Sequence, residues 1–238
     1  MRFATLFFLG AAALLAQTHP TLEFATKAGP LKLTAIRHAS FMLQAGKQVI
    51  HVDPWSQGNF AGLPAADFIL ITHTHADHLD LKALALVRRD STVVVAPAAA
   101  AAQIPGARIM KNGDKLQLGP FDIEALPMYN VKRGPSAGQV FHEKGRGNGY
   151  LLTYGGFRFY IAGDTEGIPE MRALKNIHAA LIPMNLPYTM PPEEAAEAVK
   201  AFHPKVAIPY HYRGSDLSVF EKALAGSGVE VKLLDWYH

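Results

Sequence analysis

The chain of 238 residues contains no cysteine. Disulfides are excluded, and so are thiolate ligands to zinc, so any metal site must be built from histidine and carboxylate side chains. There is also no dense run of lysine or arginine, and the formal net charge is only +3. Nucleic-acid binding usually needs a clustered basic face, so a nucleic-acid partner is not expected. A membrane span needs roughly 20 consecutive apolar residues, and no run reaches that length. The longest, Phe3 to Ala16 (FATLFFLGAAALLA), follows the basic Arg2 and fits the hydrophobic region of a signal peptide. The expectation is a cleaved leader over residues 1–16, a secreted or periplasmic protein, and no stable membrane span in the mature chain. The alternative is an uncleaved anchor. No cysteine follows the leader, so it is not a lipoprotein signal.

About half the residues are apolar, which is enough for a substantial core. Leu31 to Ile36 alternates with period two. Ser40 to Gln44 and Val49 to Val52 follow, and Asp53-Pro54 closes that meander because proline cannot extend a ladder. Phe68 to Ile71 is a continuous apolar run, as expected of a strand buried on both faces. A helix is expected over Leu81 to Arg89, a β-branched strand over Thr92 to Val95, and an alanine-rich helix from Pro97 to the Pro105-Gly106 break. A second β-rich stretch runs from Lys115 to Leu126. After a polar loop from Asn130 to Gly149, Tyr150 to Tyr154 and Phe157 to Ala162 form a hairpin around Gly155-Gly156. The last third alternates again: strand Ala179 to Ile182, helix Pro192 to Phe202, strand Val206 to Ile208, helix Ser218 to Ala225 and strand Val229 to Leu234. A meander followed by βαβ units therefore occurs twice, without a sequence repeat. Residues 21–238 read as one α/β domain in which two halves pack sheet against sheet with helices outside.

The stretch ITHTHADHLD places three histidines and an aspartate within six consecutive positions, at the end of the apolar run. Alternate side chains of an extended segment share a face. His73 and His75 therefore point the same way off the carboxyl end of a buried strand, where α/β sheets place their ligands. Asp77 and His78 follow as the chain turns toward the helix. Imidazoles and a carboxylate suit zinc, and also manganese or iron.

His73-Thr74-His75-Ala76-Asp77-His78 resembles the H-x-H-x-D-H signature of the metallo-β-lactamase-fold hydrolases. Val52-Asp53-Pro54 resembles the strand-end aspartate before that signature. Tyr160-Ile161-Ala162-Gly163-Asp164-Thr165 resembles the later strand ending in Gly-Asp, and Tyr210-His211-Tyr212 the final strand-end histidine. His38-Ala39-Ser40-Phe41 and Gly149-Tyr150 resemble the branch holding ascorbate-6-phosphate lactonase and the N-acylphosphatidylethanolamine-cleaving phospholipase D. The resemblance implies a four-layer αββα sandwich with two divalent metal ions at one edge. One ion would take His73, His75 and a third histidine; the other would take Asp77, His78 and His211. Asp164 would bridge them, and Asp53 would orient a ligand imidazole. The third histidine departs from the pattern, because Asn130 stands where it is expected. His142, in the loop that follows, is the favoured substitute; Asn130 is either a weak ligand or a loop anchor.

The reaction implied is metal-assisted hydrolysis of an ester, lactone or phosphodiester bond in a small-molecule substrate, with Asp77 orienting water or accepting its proton. Water held by a cation falls from a pKa of about 15.7 to roughly 7, so no serine or cysteine nucleophile is needed. Two other readings compete: a metal-binding module without turnover, and a di-iron redox member of the same fold. His38 either lines the site or serves the fold. His19, His51, His178 and His203 carry no motif and read as structural. Oligomeric state is not legible.

Overall fold

The computed structural model describes residues 19–238. The expected leader, 1–16, lies outside the described residues. Two seven-stranded mixed sheets carry the fold, each with its strands side by side in chain order. The first holds β1 (Thr21–Phe24), β2 (Leu31–Arg37), β3 (Ser40–Ala45), β4 (Gln48–Val52), β5 (Phe68–Leu70), β6 (Val93–Ala96) and β7 (Arg108–Ile109). The second holds β8 (Lys115–Leu118), β9 (Phe121–Met128), β10 (Gly147–Tyr154), β11 (Phe157–Ile161), β12 (Ala179–Pro183), β13 (Val206–Tyr210) and β14 (Glu230–Val231).

The repeated order read from the sequence is a repeated topology. In each sheet the first four strands pair antiparallel and the remaining pairings are parallel. The parallel halves need crossovers. α1 (Leu81–Val87) and α2 (Ala98–Ala101) supply two of the three in the first sheet, where residues 53–67 join β4 to β5 without a helix; α3 (Pro169–Arg172), α4 (Pro192–Phe202) and α5 (Leu217–Leu224) serve the second.

Period-two burial makes the middle of the sandwich. Leu31 and Leu33 of β2 face inward while Lys32 between them is exposed. Leu33, Phe41, Leu43 and Ile50 of the first sheet meet Phe121, Ile123, Tyr150 and Phe159 of the second in one continuous core. Each such large side chain contributes about 1.5–3 kcal/mol when fully buried. The opposite faces are covered by helices: α1 and α2 over β5 and β6, and α3, α4 and α5 over β11 to β13. The four-layer αββα sandwich is thus present. Among the described residues no helix is long and apolar enough to cross a membrane.

Several boundaries differ from the expected ones. α1 stops at Val87, where Arg88 turns extended and the Thr92 hydroxyl accepts the Arg89 N–H. The alanine-rich helix shrinks to one turn, since its cap Pro97 offers no side-chain oxygen and only Ala100 is buried. β14 ends at Val231, because the chain then dives inward to bury Leu234 and Trp236. β1, β7 and α3 are short elements with too little periodicity to be read beforehand. The Gly155-Gly156 hairpin is as expected, with φ of 53° and 79°.

Candidate metal centre

The predicted ligands converge because strand ends converge. β4 runs into Asp53, β5 into His73, β11 into Asp164 and β13 into His211, all at one edge of the sandwich. That edge is stitched across the two sheets: Asn148 N–H donates to the Thr72 carbonyl at 2.8 Å, the Tyr150 hydroxyl to that of Ile71 at 2.7 Å, and His211 N–H to that of His38 at 3.1 Å. Gly163 has φ of 66°, and a Cβ there would lie 2.5 Å from Met128 Sδ, so the turn presenting Asp164 requires glycine.

Two donor groups share Asp164. His73, His75, His142 and Asp164 each offer a ligand atom within 4.8 Å of the others, and so do His78, Asp164 and His211. Asp164 Oδ2 is 3.5 Å from His142 Nε2 and 3.4 Å from His211 Nε2, while Oδ1 is 3.4 Å from His78 Nε2. Asp77 sits on the open side, its Oδ2 3.4 Å from His211 Nε2 and 3.9 Å from His78 Nε2. A third group, His38, Asp77 and His211, likewise brings one ligand atom from each residue within 4.8 Å of the others.

The donor set fits a cation. Buried polar atoms almost always find partners. Yet among the described residues the buried His73 Nε2, His78 Nε2, His211 Nε2 and Asp164 Oδ1 have no hydrogen-bond partner, and all four face into the same cluster. Burial pushes His73 well below its ordinary value and His142 down to about 4, so both are neutral donors at pH 7. Burial opposes ionisation of Asp164, but the imidazoles of His211 and His78 outweigh it and hold its carboxyl well below the usual range.

The other nitrogens are fixed from behind. His78 Nδ1 donates to Asp53 Oδ2 at 2.7 Å, and the same buried carboxylate accepts Thr72 N–H at 2.7 Å and the Thr72 hydroxyl at 2.6 Å. His142 Nδ1 donates to Asn130 Oδ1 at 2.5 Å, and His142 N–H donates to the same oxygen at 3.0 Å. That leaves His142 Nε2 facing His75 Nδ1, 3.2 Å away. The Asn130 amide nitrogen is occupied too, donating to the Tyr188 carbonyl at 2.8 Å and to Glu166 Oε1 at 3.3 Å. Asn130 is therefore the anchor of His142. Asn130→Ala is expected to weaken metal affinity about tenfold or more by freeing that imidazole. Zinc competition with a chromophoric chelator checks this, and unchanged affinity would contradict it.

The cluster predicts an acid weakness in metal-stripped protein. His38 and His142 are held to about 4 by burial, against 6.5 ordinarily. Between those values the unfolded chain binds more protons, so this stabilisation is complete above about pH 6.5 and is lost as pH falls toward 4. His78, raised well above its ordinary value by Asp164 and Asp53 against the opposing effect of burial, acts in the other sense. So does Asp53, its carboxyl raised by burial, but the two are outnumbered by the depressed His38, His73, His75 and His142. The urea midpoint of chelator-treated protein should fall between pH 7 and pH 5; a rise would refute the assignment.

A cavity of about 170 Å³ opens beside the cluster, lined by His73, His75 and His142 together with Met128, Phe141 and Arg146. All seven predicted ligands lie at this edge, and Asp53 and His38 adjoin them. His51 and His203 do not; each spends Nε2 on a backbone carbonyl, of Pro64 and Ser227 respectively. His178 packs on Phe157 and His19 on His238, apart from the cluster. The pentapeptide Gly134-Pro135-Ser136-Ala137-Gly138 has the spacing of a serine nucleophile elbow but lies on an exposed loop with no strand-to-helix turn, and its hydroxyl donates to Gln139. Glu166 was missed. It is buried and accepts the N–H groups of Val131, Lys132 and Arg133, so it shapes the loop that carries Asn130.

Comparison with known proteins gives concordant findings. Residues 32–211 match the Beta-lactamase superfamily domain. A UPF0173 metal-dependent hydrolase of Thermococcus kodakarensis is 30% identical over 218 residues, covering 86% of this chain and 96% of the relative. A crystal structure from Parabacteroides distasonis, of a protein assigned to the metal-dependent hydrolases, superposes with a TM-score of 0.87 at 41% identity, covering 91% of this chain and 99% of that one. The metallo-β-lactamase fold protein YhfI of Bacillus subtilis is similar in fold, with a TM-score of 0.64 at 18% identity over 83% of this chain and 88% of its own.

Proposed function

The chain belongs to the Beta-lactamase superfamily, and on that premise we propose that it is a metal-dependent hydrolase of an ester, lactone or phosphodiester bond in a small molecule. The observation that carries this reading is the set of partnerless buried imidazole nitrogens gathered around Asp164. His73, His75, His142 and Asp164 would hold one divalent cation; His78, His211, Asp164 and Asp77 would hold a second. Zinc suits neutral imidazoles with carboxylates and no thiolate, and manganese or iron suits the same donors. Bound there, the cations would supply Lewis acidity and make water a nucleophile near neutral pH.

The chain's own residues do the rest. Asp53 and Asn130 fix the tautomers and directions of His78 and His142, so their lone pairs point inward. Asp77, with its side chain about a third exposed, faces solvent on the open side and would orient water or take its proton. Met128, Phe141 and Arg146 flank the cavity in which the non-reacting part of a substrate would lie. A secreted or periplasmic location, resting on residues 1–16, and a single domain over residues 21–238 belong to the same reading.

Metal analysis of purified protein, followed by assays on lactones, thioesters and bis-aryl phosphates, tests it. Two divalent ions per chain, hydrolysis abolished by chelation and activity restored by zinc are expected. Ions bound without turnover on any of these substrates would favour a binding module. Iron with oxygen uptake would favour redox chemistry.

A further inference from the structure

The end of the chain returns to the metal centre. Trp236 is fully buried against Phe41 and Tyr210, and its carbonyl accepts His38 N–H at 3.2 Å. The next residue, Tyr237, places its hydroxyl 2.6 Å from His38 Nδ1. The guanidinium groups of Arg37 and Arg213 both approach the tyrosine ring, at 5.6 and 5.9 Å from its centroid. Arg37 also donates to the His238 carbonyl at 3.3 Å. The tail is therefore fastened on both sides of Tyr237.

His38 occupies the tight turn between β2 and β3 with φ of 58°, and only 3% of it is exposed. Its ring lies against that of His211, centroid to centroid 3.7 Å. Its second nitrogen, Nε2, is 3.3 Å from Asp77 Oδ2. A bare lone pair on Nε2 would repel that carboxylate oxygen, so the proton belongs on Nε2, and Nδ1 accepts the Tyr237 hydroxyl. The chain of donation then runs from Tyr237 to His38 to Asp77. Asp77 has reason to need it: its side chain is 31% exposed, whereas those of His211 and Asp164 are 1% and 3% exposed. Burial restrains the latter two, and a carboxylate a third exposed has more rotamers to lose.

We propose that His38, held by Tyr237 of the C-terminal tail, is a positioning residue that aims Asp77 at the His211 side of the metal centre. This rests on the metal-centre reading above. It gives the His38-Ala39-Ser40-Phe41 motif a task that ligand assignment alone leaves unexplained.

Zinc titration of the full chain against a chromophoric chelator tests it. His38→Ala should weaken zinc binding about ten- to a hundredfold, as the loss of a ligand's hydrogen-bonded support does. Tyr237→Phe should weaken it in the same direction. His38→Gln should restore most of the affinity, because its amide N–H reaches the same carboxylate. Alanine and glutamine carry the same backbone strain at this left-handed position, so their difference reads the hydrogen bond and not the fold. In an Asp77→Asn background, Tyr237→Phe should have no further effect. Wild-type zinc affinity in His38→Ala would overturn the inference. So would His38→Gln as weak as alanine, which would make His38 a direct ligand, or an undiminished Tyr237→Phe effect on Asp77→Asn. A wild-type chain that took up no zinc would overturn the metal-centre reading itself, and the inference with it.

Discussion

Asp164→Asn is expected to lower hydrolysis about 10³-fold and to lower the metal content of the purified protein. The magnitude follows from the several kcal/mol that cation stabilisation of a developing charge contributes, with each 1.4 kcal/mol worth a factor of ten. Asp164 is the one carboxylate common to both main donor groups. Its two oxygens approach His142 and His211 on one side and His78 on the other. Asparagine is nearly isosteric, so the packing behind Gly163 should survive, but the negative charge that would balance bound cations does not. Metal content and kcat/KM, measured together, check the result. Wild-type metal content with unchanged turnover would show that the donor groups do not share this residue.

Asp53→Ala should destabilise the fold by about 3–5 kcal/mol, the cost of removing one partner from a buried ion pair. Asp53 is 1% exposed. Its carboxylate accepts Thr72 N–H, the Thr72 hydroxyl and His78 Nδ1, and alanine would strand all of these donors in a site that water does not reach. Its φ of 44° adds to the strain, which asparagine tolerates better than alanine. Asp53→Asn should therefore fall between the two in stability, since it keeps an acceptor for Thr72 and loses the charge facing His78. Urea denaturation of the metal-free proteins gives the comparison. A loss under about 1 kcal/mol for alanine would place Asp53 outside any structural role.

The sheets were legible where burial leaves a mark on the sequence. Leu31 to Ile36 alternates because one face meets the second sheet, and Phe68 to Ile71 is uniformly apolar because β5 lies between β4 and β6 with α1 outside. β7, of two residues, is defined by its neighbour and leaves no such mark, while β14 keeps only the start of the run expected over Val229 to Leu234. The site divides in the same way. The histidine run is local and carries its own signal. His142 was found as the nearest available imidazole. The task of Asn130 does not follow from the sequence, because it depends on how a long loop closes around Glu166, which in turn depends on three backbone N–H groups of one turn. Tyr237 carried no signal at all: its partner His38 lies 199 positions away.

The doubled topology has a consequence for the integrity of the centre. Asp53, His73, His75, Asp77 and His78 belong to the first sheet's half of the chain, and His142, Asp164 and His211 to the second's. A cut in the connection between β7 and β8 would give two fragments, neither owning a complete ligand sphere. Catalysis would then report their reassociation, and added zinc should act as a clasp that draws the separated pieces back together.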